Sequence, residues 1–123
     1  MRTWIFVWLS TLFFTTALQA RDSKEDKRIE FLIQTVENTP GKIFIRNGSE
    51  YDGKRAGEHL RMKLEKGGER VQTAENFIEG VASKSLMSGQ AYQIRGANGK
   101  TEDAGPFLLA RLKEYDRLHT QKR

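Results

Sequence analysis

The stretch FIRNGSEYDGKRAGEHLRMKL, residues 44–64, decides the fold because it joins a strand to a helix through a tight turn. Residues 42–46 (KIFIR) place isoleucine and phenylalanine side chains on alternate sides, and this alternation predicts a β-strand. Asn47 and Gly48 follow as a turn dipeptide. The turn therefore brings the start of the next element close to the end of the strand.

A helix is predicted over residues 50–66, directly after this turn. Ser49 with Asp52 three residues later forms a capping box, which is typical of a helix start. Gly53 and Gly57 lie near the apolar stripe of the helix, where their lack of a side chain lets another backbone come close. The stripe itself consists of Ala56, Leu60 and Leu64.

Another helix is predicted upstream of the strand. Ser23 and Asp26 form a capping box at its start. Residues 38–41 (NTPG) end it, because the residue before a proline avoids the helical conformation and Pro-Gly favours a turn. One face of this helix carries apolar residues at the i, i+3, i+4, i+7 spacing, namely Ile29, Leu32, Ile33 and Val36.

Two further elements follow the long helix, which Gly67 and Gly68 are expected to end. Thr73 caps a short helix, and residues 90–95 (QAYQIR) form a second strand. The short helix has the cleanest amphipathic spacing in the chain, carried by Ala74, Phe77, Ile78, Val81 and Ala82.

The last part of the chain is predicted to contain a connector, a helix and a tail. Residues 96–105 are mostly glycines and polar residues, which predicts a polar connector. Pro106 fits the first turn of a final helix, because no N–H is needed there. Residues 119–123 (HTQKR) are expected to fray as a basic tail.

The predicted order is therefore helix, strand, helix, helix, strand, helix, which defines a small α+β domain. Two short strands are only marginally stable alone, so we expect them to pair with each other and to be covered by the helices. The pattern leaves open whether these strands run parallel or antiparallel.

The beginning of the chain has the character of an export signal. Arg2 precedes the apolar segment TWIFVWLSTLFFTTALQA, and no further charge occurs until Arg21. This pattern predicts a Sec-type signal peptide over residues 1–20, cleaved near Ala20, because the apolar run is short for a membrane span. The alternative is an uncleaved membrane anchor. Cleavage predicts a periplasmic or secreted single domain, residues 21–123, without a stable membrane span.

Composition argues against several classes of function. The chain has no cysteine and only two histidines, so neither a disulfide framework nor a metal site is predicted, and no cofactor is indicated. The formal net charge is +5, but acids and bases alternate along the helices, which is typical of a solvated surface rather than a nucleic-acid interface. The oligomeric state is left open.

A candidate site is predicted where the first strand, the second helix and a serine-rich loop meet. The free N–H groups at a helix start favour an anion. Residues 83–89 (SKSLMSG) lead into the second strand, so pairing of the strands would bring this loop to the end of the first strand. The candidates for binding a small polar or anionic ligand, or a partner, are Arg46, Asn47, His59, Arg61, Ser83, Ser85 and Ser88.

Two functional interpretations follow from these residues. The first is a non-enzymatic module that binds an envelope protein or a small polar ligand. The alternative is a hydrolase or transferase in which His59 acts as a base toward a loop serine. A structural interpretation stands beside both, with His59 as a hydrogen-bonded interior residue and Arg46 as a solvated strand end.

Two stretches of the sequence resemble a known family. Residues 44–64 and residues 73–95 (TAENFIEGVASKSLMSGQAYQIR) are similar to the YfeK-like small exported proteins of Gram-negative bacteria, notably in the pieces RNG, HLR, TAE and the strand around Tyr92. The resemblance extends over residues 29–118. It implies a periplasmic or secreted location, and it implies no activity, substrate, cofactor or catalytic residue.

Overall fold

The computed structural model describes residues 20–120. The signal peptide predicted over residues 1–20 thus lies outside the described residues except for Ala20. No helix within the described range is long and apolar enough to cross a bilayer. In chain order the elements are α1 (Ser23–Glu37), β1 (Ile43–Arg46), β2 (Ser49–Tyr51), α2 (Gly53–Gly67), a 3-10 turn (Gly68–Arg70), α3 (Ala74–Phe77), a π-helical turn (Ile78–Ala82), β3 (Gln93–Arg95), β4 (Thr101–Asp103) and α4 (Ala104–Thr120).

The strands of residues 20–120 form one antiparallel sheet in the order β2-β1-β3-β4. The two predicted strands pair with each other as β1 and β3, with Phe44 opposite Ile94. Strand β2 returns along β1 through Asn47 and Gly48, both of which have positive φ. The α+β class and the pairing of the predicted strands are confirmed, whereas the prediction of only two strands is wrong.

The two strands that the sequence did not reveal are the edges of the sheet. Strand β2 occupies residues predicted to begin a helix, and β4 lies inside the connector predicted over residues 96–105. Each has three residues, and β4 is polar and exposed throughout. Neither edge strand therefore shows the apolar alternation from which strands are predicted. Their hydrogen bonds to β1 and β3 hold them in the sheet.

Helix α2 begins at Gly53, later than predicted, because Asp52 rather than Ser49 is its cap. The Asp52 carboxylate accepts a hydrogen bond from the N–H of Arg55 at 2.8 Å. Ser49 lies in β2, opposite Arg46. Serine and aspartate are both favoured as caps, so local sequence does not choose between them. The hairpin makes the choice by drawing Ser49 into the sheet.

The other helix ends follow the predictions more closely. Helix α1 is capped by Asp22 instead of Ser23, one residue earlier than predicted. Thr73 caps α3 by accepting a hydrogen bond from the N–H of Asn76, as predicted. Helix α2 ends at the predicted glycine pair, where Gly68 has a φ of +49° that favours glycine.

Helix α4 is longer than predicted at both ends. It begins at Ala104, with Pro106 in its first turn as expected. It continues to Thr120, so residues 119–120 of the predicted frayed tail are helical. Residues 121–123 of that tail lie outside the described residues.

The helices cover the face of the sheet that carries Phe44 and Ile94, and one apolar core joins them to it. All the apolar positions predicted for α1 and for the helical segment after Thr73 are buried in this core. Its largest fully buried side chains are Ile29, Leu32, Ile33, Val36, Phe77, Ile94, Leu108 and Leu112.

Helices α1 and α2 approach closely at the two glycines of α2. A Cβ atom at Gly53 would collide with the backbone carbonyl of Val36, and one at Gly57 would collide with the side chain of Glu37. The expectation that these glycines admit another backbone is confirmed for Gly53. At Gly57 the space is taken by a side chain of α1.

Arg28 connects three helices from a buried position. Its side chain is only 9% exposed and forms ion pairs with Glu25 of α1, Glu75 of α3 and Asp116 of α4, at 2.6, 2.5 and 2.8 Å. Three carboxylates surround one guanidinium, so the buried charge is fully paired. In the sequence Arg28 is one basic residue among many, and its role becomes visible only when the helices are packed.

Candidate functional site

A cavity of about 430 Å³ lies between the sheet and α2. The pairing of Phe44 with Tyr51 and with Ile94 places these three side chains on the same face of the sheet, toward the helices. Val36 of α1 and Leu108 of α4 line the cavity from the other side. Most of its wall is therefore apolar.

Arg46 and His59 are two of the polar residues that line this mostly apolar space. Arg46 lies two residues after Phe44 on β1 and so points to the same face. His59 precedes the buried Leu60 on α2. Both side chains are half-buried. Arg46 is thus a partly buried strand end, so the sequence-based interpretation of it as a solvated strand end holds only in part.

The buried nitrogens of these two side chains have no partner. Arg46 Nε and His59 Nε2 are shielded from solvent, and neither makes a hydrogen bond within residues 20–120. Buried polar atoms in folded proteins almost always have a partner, because leaving one unpaired costs about 1–3 kcal/mol. The interpretation of His59 as a hydrogen-bonded interior residue thus fails for its Nε2 atom.

The surroundings of His59 favour its neutral form. Burial, followed by the positive charges of Arg46, Lys63 and Lys66, lowers the pKa of His59 below its usual value. A neutral imidazole carries one N–H donor and one acceptor nitrogen. The cavity therefore presents the permanent charge of the Arg46 guanidinium beside an imidazole that can gain a proton.

The mouth of the cavity is lined by residues that sequence reasoning did not select as a site. Arg55, Glu58 and Met62 are exposed on successive turns of α2, and the Met62 side chain is 46% exposed. Tyr51 completes the wall from β2. Its contribution was missed because β2 itself was not predicted. For Arg55, Glu58 and Met62, the only sequence feature that pointed to the site was their position within one turn of His59 on α2.

The structure brings Asn47, Ser85 and Ser88 together in a separate cluster that we call the loop clasp. Asn47 Nδ2 donates to Ser85 Oγ at 3.3 Å, and Ser88 Oγ donates to Asn47 Oδ1 at 2.5 Å. Ser85 is only 2% exposed. These side chains satisfy one another and are not part of the cavity wall, so they fix the serine-rich loop to the end of β1.

Ser83 and Arg61 lie apart from both groups. Ser83 Oγ donates to the carbonyl of Glu79, one turn earlier, at 2.8 Å. Arg61 forms ion pairs with Glu30 and Glu37 of α1, at 2.7 and 2.8 Å. The structure thus gives Arg61 a role in joining α1 to α2. Among the seven predicted site residues, the cavity contains Arg46 and His59.

Lys63 is held between the π-helical turn and Tyr92, the residue before β3. Its ammonium group donates to the carbonyl of Val81 at 2.6 Å and to the hydroxyl of Tyr92 at 2.8 Å. Its charge nevertheless acts on His59, one turn earlier on α2. Within residues 20–120 no three histidine, cysteine, aspartate or glutamate side chains are grouped so as to hold a metal ion.

The fold and the cavity define a small α+β domain with a partly charged pocket beneath its sheet. A family of unknown function, DUF5329, matches residues 23–116, and the chain belongs to this family. Over 71 residues it is 35% identical to the uncharacterised protein YfeK of Salmonella typhimurium, which aligns 58% of this chain with 59% of that relative. The YfeK-like resemblance is thereby confirmed. No solved structure is significantly similar to the chain.

Proposed function

We propose that this protein is a non-enzymatic binding module whose ligand occupies the cavity beside Arg46 and His59. The observation that carries the proposal is the pair of buried nitrogens, Arg46 Nε and His59 Nε2, which lack a hydrogen-bond partner within the described chain. A ligand with acceptor atoms would satisfy them once the Arg46 and His59 side chains turn to meet it, because both nitrogens are shielded in the free protein. Binding would then offset the free-energy cost of leaving these two nitrogens without hydrogen bonds in the free protein.

The dimensions and the lining of the cavity support a small-molecule ligand. Its volume of about 430 Å³ is within the range of about 300–1,000 Å³ that is usual for ligand pockets. Such pockets combine an apolar wall with a few placed polar groups, as Phe44, Tyr51 and Leu108 do here with Arg46 and His59. The ligand should therefore have an apolar body and one polar end.

The alternative of a hydrolase or transferase receives less support from the geometry. Such an enzyme needs a nucleophile within hydrogen-bond reach of His59. The side-chain oxygens of Ser83, Ser85 and Ser88 are engaged in other hydrogen bonds, and none of these serines lines the cavity. A binding function requires no such partner for the imidazole.

Blocking the cavity tests the binding proposal. Ala56 lines the cavity from α2, and the Ala56→Leu variant should fill part of it. We expect small aromatic and branched aliphatic fragments to shift the NMR signals of the Met62 methyl group in the wild-type protein. The shifts should be lost in Ala56→Leu and retained in Ala110→Leu, a control at an exposed position of α4. Absence of any shift in the wild type would contradict the proposal.

Export from the cytoplasm is the second part of the proposal. Its support is the pattern of residues 1–20, a positive start followed by a short apolar segment and small residues. In a Gram-negative host that expresses the full chain, the periplasmic product should have the mass of a protein starting near Arg21. A product of full-length mass in the membrane fraction would instead indicate an uncleaved anchor.

A protein partner is a second candidate, favoured by the loop that the clasp holds. Leu86 and Met87 are 74% and 94% exposed at the tip of this loop, which Ser85 anchors from a buried position. We propose as partner an envelope protein with an apolar groove. A photocrosslinking residue at Met87 should give one discrete adduct in cells. The identified protein, once purified, should bind the wild type and not the Leu86→Ser, Met87→Ser double variant.

A further inference from the structure

We infer that the ligand of the cavity is a small carboxylate with an apolar body, which binds Arg46 and His59 together and brings a proton onto His59. This inference rests on the proposed binding function and specifies its chemistry. Binding would turn the Arg46 and His59 side chains so that Arg46 Nε and His59 Nε2, the two buried nitrogens that are otherwise unpaired, donate hydrogen bonds to the carboxylate. The apolar body would contact the aromatic and aliphatic wall.

The first argument concerns charge. Arginine remains charged at every accessible pH, and burying part of a guanidinium without an anion is unfavourable. The other buried or half-buried arginines of residues 20–120, Arg21, Arg28 and Arg95, each have carboxylate partners at 2.5–2.8 Å. Arg46 has no ion pair among the described residues. An anionic ligand would supply the missing partner.

The second argument concerns the size of the ligand charge. Within the cavity Arg46 is the permanent cation, while Arg55 is exposed at the mouth and Glu58 adds a negative charge nearby. A phosphate dianion would bring a second negative charge into a wall that already contains Glu58. A carboxylate is a planar monoanion whose two oxygens match two N–H donors. The prevalence of apolar side chains in the wall also favours a ligand with a single charge.

The third argument concerns the proton. Arg46 on β1 and Lys63 and Lys66 on α2 act on His59 as positive charges and oppose its protonation. A carboxylate placed against Arg46 and His59 would counteract this repulsion, so protonation would become easier in the complex. The other titratable or charged groups in the cavity wall are Tyr51, Arg55, Glu58 and Tyr92, while α1, α4 and the π-helical turn contribute only apolar residues.

Three probes with the same apolar body test the ligand class. Phenylacetate, phenylacetamide and 2-phenylethanol differ in charge and hydrogen bonding at one end. With protein purified after expression of the full chain, we expect phenylacetate to bind at least tenfold more tightly than the other two. Its affinity should rise about tenfold from pH 7.5 to pH 5.5, where the carboxylate remains ionised.

The outcomes separate this inference from the broader proposal. If the amide or the alcohol binds as tightly as the acid, the carboxylate inference is overturned while the cavity remains a ligand site. If none of the three probes binds and no other fragment shifts the Met62 signal, the binding function itself fails. A phenylacetate affinity that does not change between the two pH values would overturn the proton uptake.

Matched variants test whether His59 takes up the proton and whether Arg46 causes the preference for an acid. His59→Gln keeps an N–H donor, so it should bind phenylacetate but lose the rise in affinity at low pH. His119→Gln is the control, because His119 is exposed at the end of α4 and contacts Tyr115. Arg46→Gln should reduce the preference for acid over amide to less than threefold, whereas Arg95→Gln should retain it. Unchanged preference in a folded Arg46→Gln protein would overturn the assignment.

Discussion

Individual side chains in this molecule owe their roles to neighbours that are distant in the sequence. Arg28 and Arg61 both lie on helices; Arg28 looks like an ordinary surface residue in the sequence, whereas Arg61 was predicted as a site residue. Arg28 is enclosed by carboxylates from three helices, while Arg61 pairs with α1 across an exposed surface. Because a buried ion pair costs more to break than an exposed one, these two arginines should differ in their contribution to stability.

The Arg28→Met substitution should lower the free energy of unfolding by about 3 kcal/mol. Its cause is that the carboxylates of Glu25, Glu75 and Asp116 would lose their common cation. Arg61→Met is the matched control, and its cost should stay below about 1 kcal/mol, as is usual for exposed pairs. Urea unfolding followed by circular dichroism measures both values. Equal losses in the two variants would show that burial of Arg28 contributes nothing extra.

The imidazole of His59 should make stability depend on pH between neutral and mildly acidic conditions. In the unfolded chain its pKa is near 6.5, whereas burial and nearby cations lower the pKa in the folded protein. Below pH 6.5 the unfolded state therefore binds more protons, and the free energy of unfolding should fall as the pH is lowered from 7.5 toward 5.5.

Urea titrations at pH 7.5, 6.5 and 5.5 test this dependence on His59. The decline should be smaller in His59→Gln, which has no group that titrates at this position. His119→Gln should decline like the wild type, because His119 is exposed on the last turn of α4. If His59→Gln retains the full decline, another group is responsible.

At the scale of elements, the contact between α1 and α2 depends on a glycine that has no room for a side chain. Gly53→Ala should lower the free energy of unfolding by about 2 kcal/mol, because its Cβ would press on the carbonyl of Val36, a backbone atom that cannot rotate away. Gly80→Ala is the control within the π-helical turn, where a Cβ would meet no atom within 4 Å.

Gly80→Ala should be neutral or should raise stability by up to about 1 kcal/mol, because alanine restricts the unfolded chain and Gly80 does not need a positive φ. Thermal unfolding of the two variants gives the comparison directly. A neutral Gly53→Ala variant would mean that α1 and α2 can separate slightly without loss of core packing.

For the whole molecule, ion pairs between helices should determine how the protein responds to acid. Hydrogen bonds from Arg61 and from Arg28 lower the pKa values of Glu30 and Glu75, respectively. Each carboxylate thus stabilises the fold above its unfolded pKa near 4.5, and this contribution is lost as the pH falls through the lower, folded value.

The free energy of unfolding should therefore decrease between pH 5 and pH 3, measured by urea unfolding at intervals of half a unit. In Arg28→Met the decrease should be shallower, because Glu75 would lose the main cause of its lowered pKa. A slope equal to that of the wild type would show that the Arg28 pairs do not control acid stability.

The sequence by itself determined the long elements and the class of the fold. Apolar spacing identified α1, the helix after Thr73 and the pairing strands β1 and β3, because burial of one face imposes a period of 3.6 or 2 residues. It also indicated the end of α2 at its glycine pair and the YfeK-like family. The position of each element depends on residues that are close in the chain, whereas the pairing of β1 with β3 followed from the need of short strands for a partner.

Only the tertiary structure determined where the edge strands lie, why Asp52 rather than Ser49 caps α2, and which residues form the site. The sequence predicted seven residues in one site. Packing divided six of them between the loop clasp, the α1–α2 contact and the cavity with Arg46 and His59, and it left Ser83 bonded to the carbonyl of Glu79. Edge strands and cavities are made by pairing and burial across long sequence separations. Such contacts leave no periodic pattern in the sequence. For this reason the sequence predicted candidate site residues but not which of them lie together.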